Sequence, residues 1–379
     1  MTYLDHGATS FPKPRSVTDA VVRAMETCGN PGRGGSGAAM RSARTVLRCR
    51  EQAGELFCCE PEQVICTTSC THGLNMAIRT LVKPGSRVVI SGFEHNAVTR
   101  PLYAVGANIH VAGRKLFDWE DTLAQFEQAL RRGMDAAVFT HVSNVFGYIL
   151  PVEEMAALCR KYHVPFIVDC AQSAGTLPVS LKDWGADFIA MPGHKGLLGP
   201  MGTGLLLCAK VPEPLLYGGT GSQSKSVEMP DYLPDAGEAG TMNVPGFAGL
   251  TAGMEYVAKT GTERIFEREH KELCRLIKQM EKFDFKVFSG ENQCGTLSFI
   301  PNCDVEELAE FLSEQSIAVR AGLHCAPLAH QSAGTLDTGT VRVSFGYQVA
   351  AWQTGNLILA LEKFTGKPTV FIGKSPIRL

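Results

Sequence analysis

A few residues in this chain have the types and settings to do chemistry together. Lys195 sits in Pro192-Gly193-His194-Lys195-Gly196, directly after the apolar run Phe188-Ile189-Ala190-Met191. A lysine behind a buried strand is desolvated, which lowers its amine pKa and frees the lone pair for a Schiff base with a carbonyl compound. Alone, the same stretch also reads as a solvated turn, because Pro and Gly are turn residues. Asp169 ends the apolar run Phe166-Ile167-Val168, and a carboxylate buried there needs a cation facing it. Cys325 follows Arg320 and His324, cations that could hold a thiolate, although most free cysteines are small buried hydrophobes. Thr71 stands between a short apolar strand and an expected helix. Unpaired N–H groups at such a helix start attract phosphate, and a plain Ser/Thr cap is the other reading.

The elements that must position these residues follow a repeating pattern. Strands are expected at Val64–Thr67, Arg87–Ser91, Ile109–Val111, Asp135–His141, Phe166–Asp169, Asp187–Ala190 and Gly204–Leu207. Helices are expected from Ser16, as cap, from Ala38 to Leu56, from Leu74 to Leu81 and from Val152 to Tyr162. Near-continuous apolar strands alternating with helices imply an α/β fold with a mostly parallel sheet covered on both faces. Ligands of such sheets bind beyond the carboxyl ends of the strands, which is where Thr71, His95, Asn144, Asp169, Gln172, His194 and Lys195 fall. The stretch Pro212–Gly240 is rich in Gly, Pro and Ser and reads as a long excursion, a length at which loops are often functional. After it come two long helices from about Phe247, strands at Gly295–Ile300 and Thr340–Phe345, and helices at Val305–Gln315 and up to Phe364, which together suggest a second, α+β domain.

Bulk properties narrow the function classes. The chain has 379 residues, 45% hydrophobic and 20% charged, with 36 Lys+Arg against 38 Asp+Glu for a net charge of −2. That balance argues against a general nucleic-acid binder, which needs a basic stripe. No apolar stretch is long enough to span a bilayer, and the start at Met1–Gly7 has neither basic nor apolar leader character. Thirteen cysteines, an odd number scattered through apolar segments, fit reduced thiols in a cytoplasm rather than a secreted disulfide framework. Cys58-Cys59 and the Cys66, Cys70 pair lack zinc-ligand spacing, so no metal is expected.

Pyridoxal phosphate makes demands that this set meets. It needs a lysine, a carboxylate opposite the pyridine nitrogen, donors for its phosphate and a ring against its face. Lys195 and Asp169 answer the first two. Gln172 can reach the ring oxygen, and Thr71 with the N–H groups around it can hold the phosphate, helped by His194.

The segments Tyr3-Leu4-Asp5, Glu94-His95, His141-Val142-Ser143-Asn144, Val168-Asp169-Cys170-Ala171-Gln172, Gly193-His194-Lys195, Glu238-Ala239-Gly240-Thr241 and Arg320-Ala321-Gly322-Leu323-His324-Cys325-Ala326-Pro327 occur in this order. Together they resemble the cysteine desulfurases and selenocysteine lyases of the class V aminotransferase fold, over nearly the whole chain. The last segment is similar to the subgroup whose active-site cysteine lies on a short loop, the SufS-like type. The resemblance implies the PLP-dependent transferase fold (fold type I). The division expected is a large PLP-binding domain over 16–245 and a small domain over 1–15 and 246–379 carrying the cysteine loop.

By the same resemblance, Lys195 is the Schiff-base lysine and α-proton shuttle, Asp169 the pyridinium partner and His95 the stacked ring and acid-base group. Gln172 and Asn144 lie near the ring oxygen and substrate. Cys70, Thr71 and His194 bind the cofactor, the latter two at its phosphate. Thr241 reaches the phosphate of the other subunit, which implies a homodimer. Arg342, with Arg320 and Asn144, binds the substrate carboxylate, for which a guanidinium fork is suited. Cys325 is the nucleophile that takes sulfur from L-cysteine as a persulfide for an acceptor protein while alanine departs. L-selenocysteine is the alternative substrate. An aminotransferase or β-lyase using Lys195 and Asp169 but not Cys325, and a non-enzymatic sulfur carrier, are the other readings.

Several positions depart from the family pattern. Pro192 stands where a phosphate-binding serine is usual, His72 replaces a glutamate and Leu323 replaces a histidine. Asn30–Ser36 lacks both histidines of the usual Asn-x-His-Arg-Gly-x-His, and Gly346-Tyr347-Gln348 replaces Tyr-Asn-Thr.

Overall fold

The computed structural model describes residues 1–31 and 35–366. Its larger sheet has seven strands in the order Val64–Thr67, Gly204–Cys208, Phe188–Pro192, Phe166–Asp169, Ala136–Thr140, Arg87–Ser91, Asn108–Ala112. Gly204–Cys208 runs antiparallel to both its neighbours, the other four pairings are parallel, and Val64–Thr67 runs in the same sense as those parallel strands. The sheet is therefore mostly parallel and mixed, as expected.

The unbroken apolar runs are explained by burial on both faces. Every residue of Ala136–Thr140 and Phe188–Pro192 is buried. Side chains alternate between faces with period two. Val89, Ala137, Phe139, Val168 and Ile189 enter one core, whereas Val88, Ile90, Ala136, Val138, Ile167 and Phe188 enter the other.

Helix boundaries differ from the sequence expectations where capping decides them. The first helix spans Arg15–Thr27, with Pro14 rather than Ser16 at the cap position and no side-chain cap. The helix expected from Leu74 begins a turn earlier, at Cys70, because Ser69 Oγ accepts the His72 N–H and so satisfies one of the free first-turn donors. Helices at Asn96–Ala104 and Trp119–Arg131 complete the crossovers. Val244–Thr260 sends Val244, Phe247, Leu250 and Met254 into the core around the large sheet.

A second sheet is wholly antiparallel, in the order Arg320–Gly322, Thr340–Ser344, Thr296–Ile300, Lys286–Phe288. Its core gathers Leu273, Leu297, Phe299, Leu308, Val343 and Leu361 with Leu4 from the chain start. Thr2–Tyr3 pairs in parallel with Ile317–Ala318, and Asp5 bridges to Ser344. These pairings bring residue 5 beside strand 340–344 and toward the end of the large sheet.

Among the described residues no helix is long and apolar enough to cross a membrane. All 13 cysteines are free thiols.

Candidate active site

A cavity of ≈ 250 Å³ lies at the carboxyl ends of the central strands. Eleven of the twelve residues expected from the sequence line it: Cys70, Thr71, His95, Asn144, Asp169, Gln172, His194, Lys195, Arg320, Cys325 and Arg342. Thr241 does not. It borders a separate cavity with Asn30, Pro31 and the half-buried Arg50–Glu238 ion pair. Of the altered Asn30–Ser36 loop, Gly32, Arg33 and Gly34 lie outside the described residues.

Asp169 is buried at 2% exposure, and Lys195 is half-buried at the cavity wall. Adjacent parallel strands set them side by side, with Asp169 paired to Ala190. Burial lowers the Lys195 pKa, with the Asp169 charge opposing. Burial raises that of Asp169, against the Ala171 N–H at 2.9 Å, the Lys195 charge and the Cys70 thiol, whose sulfur is 3.4 Å from Oδ1. A low amine pKa beside a carboxylate is the state a carbonyl-binding lysine requires.

His95 caps helix Asn96–Ala104, its Nδ1 accepting the Ala97 N–H at 2.9 Å. The ring proton therefore sits on Nε2. Burial, then the positive charge of Lys195, pushes the His95 pKa down to about 4, so the ring is neutral at pH 7. Ser69, Cys70 and Thr71 start their helix at the cavity wall, where first-turn N–H groups favour an anion.

The opposite wall is cationic. Arg342 is 2% exposed. It donates from Nη1 to the Asn144 carbonyl at 2.9 Å and from Nη2 to Asp5 Oδ1 at 2.6 Å. Gln172 Nε2 donates to the Gly7 carbonyl at 3.0 Å. Several polar atoms around this cavity have no partner among the described residues: His194 Nδ1, Asn144 Oδ1 and Arg342 Nε. Buried polar groups are otherwise nearly always paired, so these point to a polar ligand. The donor set suits one with an anionic group at the Ser69–Thr71 helix start, a cationic ring nitrogen toward Asp169 and a carbonyl carbon toward Lys195.

Residues 2–353 match the Aminotransferase class-V family. The chain belongs to that family. Across 380 aligned residues, covering 96% of this chain and 94% of the relative, it is 32% identical to a probable cysteine desulfurase of Methanothermobacter thermautotrophicus. A probable cysteine desulfurase of Pyrococcus abyssi is 31% identical over 90% of this chain and 89% of its own. Among solved structures, the apo cysteine desulfurase of Thermococcus onnurineus NA1 superposes with a TM-score of 0.88 at 27% identity, covering 96% of this chain and 94% of that one.

Cys325 of this family member is exposed and lines the same cavity. Its carbonyl accepts the Asn96 N–H at 2.8 Å, and the His324 carbonyl accepts Asn144 Nδ2 at 2.8 Å. Both residues hold left-handed backbone, with φ of 51° at His324 and 57° at Cys325. The sequence suggested His324 as a cationic neighbour of the thiol, and the fold overturns this. Burial, reinforced by Arg342, drives its pKa down to about 2, so it is neutral. Arg320 is the cation at the loop, half exposed and 3.5 Å from Asp5 Oδ2.

Sequence reasoning missed Asp5 as a partner of both arginines. It also missed Ser69, although a serine ahead of a helix is a cap signal. Glu94, fully buried, accepts from the Ser91 hydroxyl and from the Thr140 N–H at 2.9 Å. Nothing in its local sequence distinguishes it from a surface glutamate.

Proposed function

We propose that this chain is a pyridoxal-phosphate-dependent cysteine desulfurase that converts L-cysteine to L-alanine and carries the sulfur away as a persulfide on Cys325. The observation that carries the reading is the convergence of Lys195, Asp169, Arg342 and Cys325 on one cavity, in a chain whose relatives are named cysteine desulfurases.

When bound, pyridoxal phosphate supplies an electron sink for the bonds at the substrate's α-carbon. In this proposal Lys195 holds the cofactor covalently, Asp169 keeps its ring nitrogen protonated, and the Cys70–Thr71 helix start with His194 takes the phosphate. His95 covers the ring, and Gln172 and Asn144 serve its oxygen and the substrate. Arg342 and Arg320 hold the substrate carboxylate, for which Arg342 Nε, without a hydrogen-bond partner among the described residues, is an available donor. Lys195, as the free amine, moves the α-proton. The Cys325 thiolate forms an S–S bond to the substrate sulfur as the C–S bond breaks. Alanine leaves, and the persulfide awaits an acceptor protein.

The same reading has Thr241 serve the site of a second copy, in a homodimer working in the cytoplasm. Its position away from its own chain's cavity supports that. It also divides the chain into a large domain over 16–245 and a small one over 1–15 and 246–379, with helix Val244–Thr260 as the packed joint between them.

The test is single-turnover chemistry on the purified holoenzyme. Mixed with L-cysteine, it yields alanine and a sulfur adduct on Cys325 by mass spectrometry, both lost in Cys325→Ala. Alanine only from L-selenocysteine, surviving that substitution, would make it a selenocysteine lyase. Pyruvate or a keto acid in place of alanine would make it another enzyme of the family.

A further inference from the structure

Behind Lys195 lies a second, smaller chamber of ≈ 40 Å³. It meets the first cavity at Gly7, Val142, Ala171, Gln172 and Lys195, which line both. At its far side Glu269 projects from helix Thr262–Met280 toward Gly295, where a Cβ would stand 2.9 Å from its Oε2. Glu269 is 7% exposed, and its carboxyl makes no hydrogen bond or ion pair among the described residues. His6, 9% exposed, also lines the chamber and leaves its Nδ1 without a partner among the described residues. Two enclosed polar side chains aimed into a small polar space mark a water site. The volume holds about two or three waters, each needing two or more polar partners.

We infer that this chamber holds a short water chain joining the Lys195 amine to the Glu269 carboxyl, and that Glu269 exchanges with solvent the proton that Lys195 moves. The inference rests on the proposed role of Lys195. The chamber is a second space lined by Lys195, apart from the larger cavity proposed for cofactor and substrate. The transfer balances simply. Lys195 takes the α-proton and becomes an ammonium. A proton passes along the waters to the Glu269 carboxylate, which becomes the neutral acid, and the amine returns to its free base. The reverse transfer delivers a proton to Lys195. Glu269 thus acts through Lys195 and never touches the substrate.

Charge behaviour agrees. Burial pushes the Glu269 pKa up to about 8, so the carboxyl changes protonation in the working range. The other titratable groups lining the chamber are His6, Lys195, Cys294 and Tyr347. Burial, then Lys13, holds His6 down to about 4, and burial pushes the Cys294 thiol and the Tyr347 phenol upward. Glu269 is therefore the carboxyl in the chamber whose protonation changes in the working range.

The experiment is proton exchange at the α-carbon of L-alanine. Holoenzyme is incubated with L-alanine in D₂O, and the Cα–H signal is followed by NMR between pH 6 and 9. Wild type is expected to exchange, faster as pH rises through about 8. Glu269→Gln is expected to exchange at least about tenfold more slowly, a modest share of what a placed acid-base group contributes, and to lose that pH dependence. Glu269→Asp, which keeps the carboxyl, recovers part of it. The cofactor absorbance band and melting temperature check that the variants are folded and loaded. Wild-type rates in Glu269→Gln, or no exchange in wild type, would overturn the inference. A second readout needs no cofactor. The infrared difference between wild type and Glu269→Gln is expected to show a protonated-carboxyl band that titrates, and absence of that band would also overturn it. Alanine exchange requires no sulfur transfer, so failure here stands apart from a failure to make alanine from cysteine.

Discussion

Arg342 Nη2 and Asp5 Oδ1 are 2.6 Å apart, joining the two ends of the chain at the wall of the candidate site. The other oxygen of Asp5 is 3.5 Å from Arg320 Nε. One carboxylate thus holds two guanidinium groups and leaves a net single positive charge, which matches one substrate carboxylate. Because Nη1 and Nη2 of Arg342 are both engaged, the fork is fixed before anything binds.

Removing Asp5 therefore has two consequences. Asp5→Ala leaves the buried Arg342 guanidinium without its ionic partner, a change expected to cost about 3 kcal/mol of folding stability, measurable by urea denaturation. Asp5→Asn keeps an acceptor and costs less. In that variant the KM for L-cysteine is expected to rise several-fold with a smaller change in kcat, because binding geometry rather than bond-breaking is disturbed. An unchanged KM would mean that Asp5 only holds the N-terminal strand.

Cys325 separates chemistry from folding. Its side chain is exposed, so Cys325→Ala is expected to abolish alanine formation from cysteine while leaving the melting temperature within about a degree, the usual result for surface changes. Its φ of 57° disfavours any side chain with a Cβ, so Cys325→Gly is expected to be more stable than Cys325→Ala by about 1 kcal/mol. Differential scanning calorimetry of the two inactive variants checks this.

The strands carrying Lys195 and Asp169 were legible because burial on both faces leaves unbroken apolar runs such as Phe188–Met191. Their polar ends then converge by the geometry of parallel sheets. The pairing of Asp5 with Arg342 was not legible. It depends on strand Thr340–Ser344 lying beside the chain start, and no local pattern encodes a contact 337 positions apart. Glu269 reads in the sequence as one charge among many on helix Thr262–Met280, and only packing against Gly295 shows it to be enclosed. His324, near Arg320 in sequence, read as a second cation for the thiol, yet burial outweighs its hydrogen bond to the Arg320 carbonyl.

His95 holds two tasks that substitution can divide. Its Nδ1 caps helix Asn96–Ala104, and caps of this kind contribute about 1 kcal/mol. His95→Asn preserves a capping side chain, whereas His95→Ala does not. Thermal melts are expected to separate the two by roughly that amount. Both variants lose the neutral ring at the cavity, so both are expected to lose alanine formation by about a hundredfold or more, in line with removal of an acid-base group. Equal activity in His95→Asn and wild type would reduce the residue to a cap.

Glu94 makes the last expectation one of pH. Burial raises its pKa from 4.5 to about 8, against hydrogen bonds from Ser91 and the Thr140 N–H. The folded protein therefore binds a proton that the unfolded chain has already released above 4.5, so this group's contribution to stability falls as pH rises from 4.5 to about 8 and is level beyond. A shift of that size corresponds to on the order of 5 kcal/mol. Glu94→Gln cannot ionise, and its carbonyl still accepts the hydrogen bonds that Oε1 accepts. Its stability relative to wild type is expected to improve steadily across that window, with the wild type at least as stable at pH 5 and the variant ahead at pH 9. Glu269 titrates in both proteins and cancels in the difference. Guanidinium unfolding of the pair at pH 5, 7 and 9 measures it, and parallel pH profiles would show that Glu94 is solvated in the folded state.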